Sequence, residues 1–274
     1  GGAGRRRWWR KRRRSWRVMK NVTGYDVARG LAGSWGTLSI LTEVTFKVMP
    51  LPEASTTLVL LGLPDELGIE ALTTAMGTPY EISAAAHIPA KVATRLAHET
   101  VRTQGKAVTA LRLEAAPRSL DYRKGRLADI LKPYGGLHDL NQKSSEAFWS
   151  ELADVKPFAG SDRPLWRIST APTKGPAIVA GLARYMDTAA FYDWSGGLVW
   201  IEIPETSDAG AADIRRVVAS HGGHATLIRA TPAARAATDV FQPPEPAVLE
   251  ISQKLKAAFD PANILNPGRM YLAF

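Results

Sequence analysis

Alternating apolar and polar residues fill much of the chain beyond residue 37 and set the first expectations about its fold. The segment Leu38–Val48 is rich in β-branched residues and alternates from Thr42 onward, which predicts a strand. Pro50 and Pro52 follow it, and proline ends a strand because it has no N–H for the ladder. We therefore place a domain boundary close to residue 53.

From residue 54 onward, short strand-like segments alternate with longer helix-like segments. Ser195-Gly196-Gly197 is typical of a hairpin turn, and a hairpin joins antiparallel strands. The sequence therefore predicts an α+β fold, an antiparallel sheet with helices on one face, rather than a doubly wound parallel sheet. The predicted strands are 55–63, 81–88, 107–115, 165–170, 188–194, 198–204 and 224–228, and the predicted helices are 64–76, 89–104, 117–131, 144–152, 174–186, 208–221 and 247–259.

The amino-acid composition mainly excludes certain kinds of site and of protein. The 274 residues include no cysteine, which excludes disulfides, thiolate zinc sites and iron–sulfur ligation by this chain. No stretch approaches the roughly 18 uninterrupted apolar residues of a membrane-spanning helix. The five histidines show no zinc-site spacing and no H-x-H pair, so we predict no metal site.

The net charge of +9 comes from one end of the chain. Ten of the 35 Lys and Arg lie in residues 1–20, which hold no acid, while the other 25 are balanced by 26 acids. Three explanations stay open for the Arg- and Trp-rich tail at 1–16: out-of-frame or truncated coding sequence, a disordered tail without a specific role, or an arm that binds nucleic acid or an anionic membrane. We expect no nucleic-acid partner on this charge alone.

A glycine-rich segment precedes the predicted strand. Lys20-Asn21-Val22-Thr23-Gly24-Tyr25-Asp26 is followed by predicted helical turns at 27–32 and then by Gly33-Ser34-Trp35-Gly36-Thr37. Glycines let a backbone take positive φ angles and come close to a flat or phosphorylated ligand. The spacing matches neither the dinucleotide-binding G-x-G-x-x-G pattern nor a P-loop. A ligand-binding loop and a pair of tight turns before a buried strand both remain open on spacing alone.

Motifs at opposite ends of the chain resemble a single family. The glycine-rich segment resembles the end of the FAD-binding domain of the vanillyl-alcohol oxidase and p-cresol methylhydroxylase superfamily, and the C-terminal segment resembles its C-terminal signature. Two internal segments are similar to FAD-binding subunits of glycolate oxidase in particular. The matching segments, which lie in the family's order within about residues 17–272, are 20–26, 32–44, 164–167, 222–229 and 255–271.

The resemblance implies a remnant of the FAD-binding domain at 17–53, then a C-terminal antiparallel-sheet cap domain with helices at 54–274, whose last residues approach the flavin. The family carries a long segment with a phosphate-binding loop before these residues. We therefore expect the chain to be N-terminally truncated, to bind FAD weakly and to be inactive alone. The implied FAD contacts, without covalent attachment, are Gly24, Asp26, Gly33, Ser34, Gly36, Thr37, Ile40 and Asn266.

The activity that the resemblance implies is oxidation of a 2-hydroxy acid, glycolate, with the flavin accepting the electrons. Arg167 and Arg229 are candidates for binding the substrate carboxylate, because arginine binds carboxylates in bidentate fashion, and ordinary salt bridges are the alternative. No catalytic residue is assigned. Expected partners are the flavoprotein and iron–sulfur subunits of a glycolate oxidase complex, in the cytoplasm or peripheral on the inner membrane. A D-lactate dehydrogenase-like flavoenzyme and a non-catalytic assembly subunit or fragment without FAD remain alternatives.

Overall fold

The structure, a computed structural model, describes residues 27–46, 48–102 and 105–272. These residues group into two compact units, one made of 51–244 and the other of the described residues up to 50 together with 245–272. The expectations for the basic tail, for Gly24 and for Asp26 lie outside the described residues. The domain boundaries inferred from the sequence stay a prediction.

An eight-stranded sheet organises the described residues of the larger unit, and its ladders are antiparallel. The spatial order of the strands is β4-β1-β3-β2-β6-β7-β5-β8. The α+β class with antiparallel pairing is therefore confirmed. The strands are β1 (Ala54–Leu61), β2 (Ile82–Ile88), β3 (Val108–Ala115), β4 (His138–Leu140), β5 (Leu165–Ser169), β6 (Ala189–Asp193), β7 (Leu198–Glu202) and β8 (His224–Arg229).

Helices occur in both units, and most lie where the sequence predicts them. The predicted helix at 89–104 is wrong as a single element, because two short helices take its place. The short strand β4 and the helix at Pro232–Ala237 were not predicted. The α-helices of the described residues are α1 (Val27–Leu31), α2 (Asp65–Met76), α3 (Ala90–Ala93), α4 (Glu99–Arg102), α5 (Pro117–Leu131), α6 (Gln142–Ala153), α7 (Gly175–Ala183), α8 (Ala211–His221), α9 (Pro232–Ala237) and α10 (Pro246–Phe259).

The larger unit repeats one topology twice. The elements β1-α2-β2-β3-α5-β4 form a βαββαβ unit, and β5-α7-β6-β7-α8-β8 form a second. Counted within each half, the spatial order is fourth, first, third, second, and the second strands of the two halves, β2 and β6, lie side by side. The sheet is therefore a pair of ferredoxin-like halves joined at β2 and β6.

Successive side chains along a strand point to opposite faces of the sheet, so they pack in two different hydrophobic cores. Leu58 and Leu60 of β1 pack in the core with α2, α5, α7 and α8, whereas Val59 between them packs in the core with α3 and α6. Trp166 is fully buried in the first core, and its indole N–H donates to Ala209 O at 2.8 Å. Helices therefore pack on both faces of the sheet, and the expectation of helices on one face is wrong.

The predicted strand Leu38–Val48 is wrong, because residues 38–46 and 48 adopt no strand. Backbone N–H and C=O groups form a ladder only when a second strand lies beside them. The described residues supply no partner strand for this segment. Beyond the buried Leu38, its large apolar side chains are exposed instead, with 79% of Phe46 and 80% of Val48 accessible to solvent.

A buried polar cluster lies where the two halves of the sheet meet. His87 of β2 is the described ladder partner of Tyr192 of β6. The buried His87 ring has Nδ1 2.8 Å from Thr109 Oγ1 and Nε2 3.3 Å from Asp65 Oδ1, while Tyr192 donates its O–H to Asp65 Oδ2 at 2.5 Å. Gly68 is required beside this ring, because a Cβ there would lie 2.3 Å from His87 Nδ1. Burial by itself raises the pKa of Asp65, but the hydrogen bonds to His87 and Tyr192 outweigh it, so this pKa lies below its ordinary value.

We expect Tyr192→Phe to lower the free energy of unfolding by about 1–3 kcal/mol at pH 7, because a carboxylate loses a buried donor. Since the pKa of Asp65 is lowered in the folded state, its contribution is complete above the unfolded pKa of about 3.9 and is lost as the pH falls through the folded value. Urea unfolding at several pH values measures both effects. Tyr122→Phe, at a tyrosine that is 64% exposed, is the matched control, and equal losses in the two variants contradict the cluster's role.

Candidate functional site

The glycine-rich loop after α1 forms a compact turn in the smaller unit. Gly33, Trp35 and Gly36 have φ angles of +79°, +53° and +75°, a region that glycine enters at little cost. Thr37 closes the turn, since its backbone N–H and its Oγ1 donate to Ser34 O at 2.9 and 2.7 Å. An added Cβ at Gly33 would meet no atom within 4 Å. The loop therefore presents bare backbone at Gly33.

The C-terminal segment contacts this loop directly. Asn266 Nδ2 donates to Trp35 O at 3.1 Å, across a separation of 231 residues. A Cβ added at Gly36 would lie 2.7 Å from Asn266 Nδ2, so only glycine leaves room for the amide. The Arg269 guanidinium carbon lies 5.8 Å from the centre of the Trp35 ring, within the range of a cation–π contact. The structure thus brings together the glycine-rich motif and the C-terminal motif, the two segments whose sequences resemble one family.

A buried lysine forms hydrogen bonds to both the glycine-rich loop and the C-terminal segment. Lys256 Nζ donates to Thr37 O at 2.9 Å, to Leu265 O at 2.8 Å and to Asp260 Oδ2 at 2.7 Å, which uses all three of its N–H bonds. Lys256 is 3% exposed and Asp260 5%. Burial by itself raises the pKa of Asp260, but hydrogen bonds from Lys256 and from the backbone N–H groups of Leu265 and Ile264 outweigh it, and the pKa is lowered.

Sequence reasoning missed Lys256 and Asp260 as site residues. Their i, i+4 spacing places both on one side of α10, and they stand inside the segment that resembles the C-terminal family signature. A buried role was not evident, because lysine and aspartate at this spacing more often form an exposed pair on a helix surface. The charged pair is a positioning element that ties Thr37 to the Leu265–Asn266 turn.

The structure assembles most of the residues expected to contact FAD. Gly33, Ser34, Gly36, Thr37 and Asn266 lie within one loop cluster, whereas Ile40 follows it and is 67% exposed. The bare backbone at Gly33 and the exposed face of the loop fit one side of a flat ring system. Their role as FAD contacts stays a prediction.

The two arginine candidates lie in the larger unit and differ in their surroundings. Arg229 donates from Nε to Arg163 O at 2.9 Å, from Nη1 to Phe158 O at 2.7 Å, and its Nη2 lies 3.4 Å from Glu202 Oε2. Glu202 is 1% exposed, so Arg229 compensates a buried carboxylate. The Arg229 guanidinium is therefore used in contacts within the fold.

Arg167 is free of such contacts. It lies on β5 between Trp166 and Ile168, both in the first core, so its side chain is on the opposite face of the sheet. Its guanidinium carbon lies 5.6 Å from the centre of the half-exposed Trp194 ring. Among the described residues no carboxylate forms a salt bridge with it. Of the two arginines, Arg167 is the one available to a ligand.

The described residues hold neither a metal-ligand cluster nor a helix that could span a membrane. No three histidine, aspartate or glutamate side chains cluster as a metal ion would require in the part of the chain that the structure describes. Within the same ranges, no helix has the length and apolar character needed to cross a bilayer.

Known proteins are similar to this chain in sequence. The family described as FAD linked oxidases, C-terminal domain, matches residues 244–270. Glycolate oxidase subunit GlcE of Escherichia coli (strain K12) is 29% identical over 259 residues, which are 93% of this chain and 59% of that protein. Glycolate oxidase subunit GlcD of Bacillus subtilis (strain 168) is 27% identical over 286 residues, with the same two coverages of 93% and 59%. The chain therefore spans about three fifths of the length of these relatives.

Solved structures share the fold at low sequence identity. A crystal structure of p-cresol methylhydroxylase with substrate bound is similar with a TM-score of 0.55 and 15% identity, covering 82% of this chain and 55% of that one. An alkyldihydroxyacetonephosphate synthase is similar with a TM-score of 0.57 and 14% identity, covering 91% and 51%. The sequence likeness to the C-terminal domain of FAD linked oxidases and to two glycolate oxidase subunits thus agrees with the fold that the chain shares with these solved structures.

Proposed function

We propose that this chain is the FAD-binding subunit of a 2-hydroxy-acid oxidoreductase whose substrate is glycolate. The observation that carries the proposal is the joining of the Gly33–Thr37 loop to Asn266 and Lys256, because it builds one loop cluster from both family-like motifs. The similarity to two glycolate oxidase subunits supports glycolate as the substrate.

Different residues would hold the cofactor and the substrate. Bound FAD would supply a two-electron acceptor for the hydroxy acid. The residues that would hold it are Gly33, Ser34, Gly36, Thr37 and Asn266, with Ile40 beside them and with Gly24 and Asp26 from the preceding motif. Arg167 would bind the carboxylate of the substrate through charge-assisted hydrogen bonds. The same proposal places the chain in a complex with flavoprotein and iron–sulfur subunits.

FAD titration and anaerobic bleaching test the proposal. We expect the 274-residue chain to bind FAD weakly, because the loop cluster offers contacts for the ring side and tight binding also needs a preorganised diphosphate site. A form extended upstream to the length of the relatives is expected to be yellow and to be bleached by glycolate. Retention of stoichiometric FAD by the 274-residue chain refutes the weak-binding claim. An extended form that retains FAD but is bleached by no 2-hydroxy acid refutes the proposed activity.

A non-catalytic assembly subunit is the second candidate. The exposed apolar side chains that follow the loop favour it, since Phe46, Val48 and Met49 are each at least 79% exposed and suit burial against another chain. Glycolate-dependent bleaching of the extended form separates the two candidates. Assembly with partner subunits but no bound FAD supports the second.

Replacing Arg167 with methionine is expected to raise the KM for glycolate about 10- to 100-fold with little change in kcat. A charge-assisted hydrogen bond is worth about 1.5–3 kcal/mol, and methionine keeps the contact with Trp194 but removes the charge. Steady-state kinetics of the FAD-loaded extended form measure the split. Arg118→Met, at an exposed position on α5, is the control. An unchanged KM contradicts the role of Arg167.

A further inference from the structure

A cavity of about 540 Å³ lies beside the edge strand β4, within the larger unit. Its apolar wall consists of four aliphatic side chains, those of Val59, Leu61, Val101 and Leu140. Three of them, Val59, Val101 and Leu140, belong to the second core, which is the one with α3 and α6. Gly136 also lines the cavity and adds no side chain to it. The cavity is therefore an opening towards a hydrophobic core, and its volume falls within the range of ligand pockets.

The pairing of β1 with β4 determines which side chains of β4 point into this cavity. His138 is the ladder partner of Val59, and directly opposed residues have their side chains on the same face of a sheet. Asp139 also lines the cavity, but its ladder partner is Leu58 of the first core. The Asp139 carboxylate accordingly contacts Lys124 of α5, a helix that packs in the first core. The cavity thus receives the His138 imidazole, whereas the Asp139 carboxylate is neutralised on the opposite face.

Lys106 brings a positive charge to the cavity. It precedes β3, and its stem lies beside the end of β1, since a Cβ added at Gly62 would lie 3.7 Å from Lys106 Cδ. Both Lys106 and His138 are exposed, and neither forms a hydrogen bond or an ion pair with the residues that the structure describes. A lysine ammonium has three N–H donors, and an imidazole has at least one. These donors and a full charge are therefore available to a ligand.

The charge and the apolar wall together indicate the class of ligand. A carboxylate accepts charge-assisted hydrogen bonds from Lys106 and a further hydrogen bond from His138. The aliphatic wall favours a ligand with an apolar body, because removing apolar surface from water is favourable. A cation would be repelled by Lys106, and glycolate has no apolar body to cover the wall. A dicarboxylate would place its second charge against aliphatic side chains, which is costly.

We infer that this cavity is a binding site for a small monocarboxylate with a branched aliphatic body, held by Lys106 and His138. The carboxylate would lie between these two side chains, and the body would cover the wall of the second core. The inference is independent of the proposed function, because no residue of the cavity is among those proposed to contact FAD or glycolate. Occupancy would stabilise the larger unit, since a ligand that binds only the folded chain shifts the folding equilibrium towards it.

NMR titration of the isotope-labelled 274-residue chain with isocaproate tests the inference. We expect saturable shifts of backbone amides in β1 and β4, the two strands that line the cavity. Isocaproamide has the same body without the charge, and acetate has the charge without the body. Each is expected to bind at least about tenfold more weakly than isocaproate, because the first loses the charge-assisted hydrogen bonds and the second loses the apolar contact.

Substitutions at the two donors test their roles. Lys106→Met keeps the aliphatic stem but removes the charge, so the ratio of the affinities for isocaproate and isocaproamide should fall close to one. Lys106→Gln should do the same while keeping a polar side chain at this exposed position. His138→Phe keeps a flat ring without N–H and should weaken isocaproate binding about three- to tenfold. Lys143→Met, at an exposed position of α6 that does not line the cavity, should leave the ratio unchanged.

The spectrum of each variant without ligand shows whether it folds as the parent chain does, and the parent chain alone already decides between the three probes. Equal affinities of the parent chain for isocaproate and isocaproamide, shifts confined to residues away from β1 and β4, or a ratio unchanged in both lysine variants overturns the inference. Absence of saturable isocaproate binding does the same. None of these outcomes bears on the proposed function, since the titration involves neither flavin nor glycolate.

Discussion

Replacing Lys256 with methionine is expected to destabilise the smaller unit by about 3 kcal/mol or more. The substitution leaves Asp260 as a buried carboxylate without its cation, and removing one partner of a buried ion pair costs about 3–5 kcal/mol. It also removes the donors to Thr37 O and Leu265 O, so the glycine loop and the Asn266 turn lose their common support. Hydrogen exchange of backbone amides in α10 measures the loss as a local opening free energy.

Lys254→Met is the matched control for this experiment. Lys254 lies on the same helix and contacts Glu250 at 2.5 Å, but it is 73% exposed along its side chain, so its pair is worth only about 0.5 kcal/mol. Adding Asp260→Asn to Lys256→Met removes the stranded charge and is expected to recover part of the loss. Equal effects of the two lysine substitutions contradict the assignment of Lys256 as the support of the loop.

The pH dependence of this pair has a defined sign. Because hydrogen bonds lower the pKa of Asp260 in the folded state, its stabilisation is present above the unfolded pKa of about 3.9 and is lost as the pH falls through the folded value. The difference between the parent chain and Asp260→Asn should therefore shrink in acid. A difference that grows below that pH contradicts the sign.

Local sequence patterns predicted most of the strands and helices. Apolar and polar residues alternate along the strands, and turn residues mark the ends of the helices. The helix Pro117–Leu131 has the predicted bounds, with proline in its first turn as the sequence indicates. The same local reasoning failed for Leu38–Val48, since strand propensity cannot supply the neighbouring strand that the ladder needs. The duplicated topology was also not predicted, because the two halves share an order of elements rather than a visible repeat of residues.

The sequence predicted those parts of the candidate site at which the backbone takes a positive φ angle that glycine or asparagine allows. Gly33, Gly36 and Asn266 all have positive φ angles, which their residue types allow and which the resemblance placed in one site. The support beneath the loop was not predictable, because a lysine in a helix gives no sign of burial. Arg229 and Arg167 were indistinguishable in sequence, and only contacts with Arg163, Phe158 and Glu202 separate them.

Replacing Gly36 with alanine is expected to disconnect the glycine loop from Asn266, whereas the same change at Gly33 is not. Both glycines have nearly equal positive φ angles, +75° and +79°, so the backbone penalty of about 1–2 kcal/mol is common to the two variants. At Gly36 the new Cβ would lie 2.7 Å from Asn266 Nδ2, and at Gly33 it meets nothing within 4 Å. The extra cost at Gly36 is therefore about 1–3 kcal/mol, as for overpacking elsewhere.

A second substitution identifies the cause of this extra cost. In the Gly36→Ala background, Asn266→Ala removes the clashing amide, so its effect should be neutral or stabilising, although in the parent chain it removes the hydrogen bond to Trp35 O and should destabilise. Hydrogen exchange of the smaller unit gives the four free energies of this cycle without flavin. FAD affinity of the extended form should fall for both variants, because a Cβ at Gly33 enters the space proposed for the ring and a Cβ at Gly36 separates the loop from Asn266, so hydrogen exchange rather than FAD binding distinguishes the two. Additive effects of the two substitutions would mean that Gly36 is needed for its φ angle alone and that the contact with Asn266 does not organise the loop.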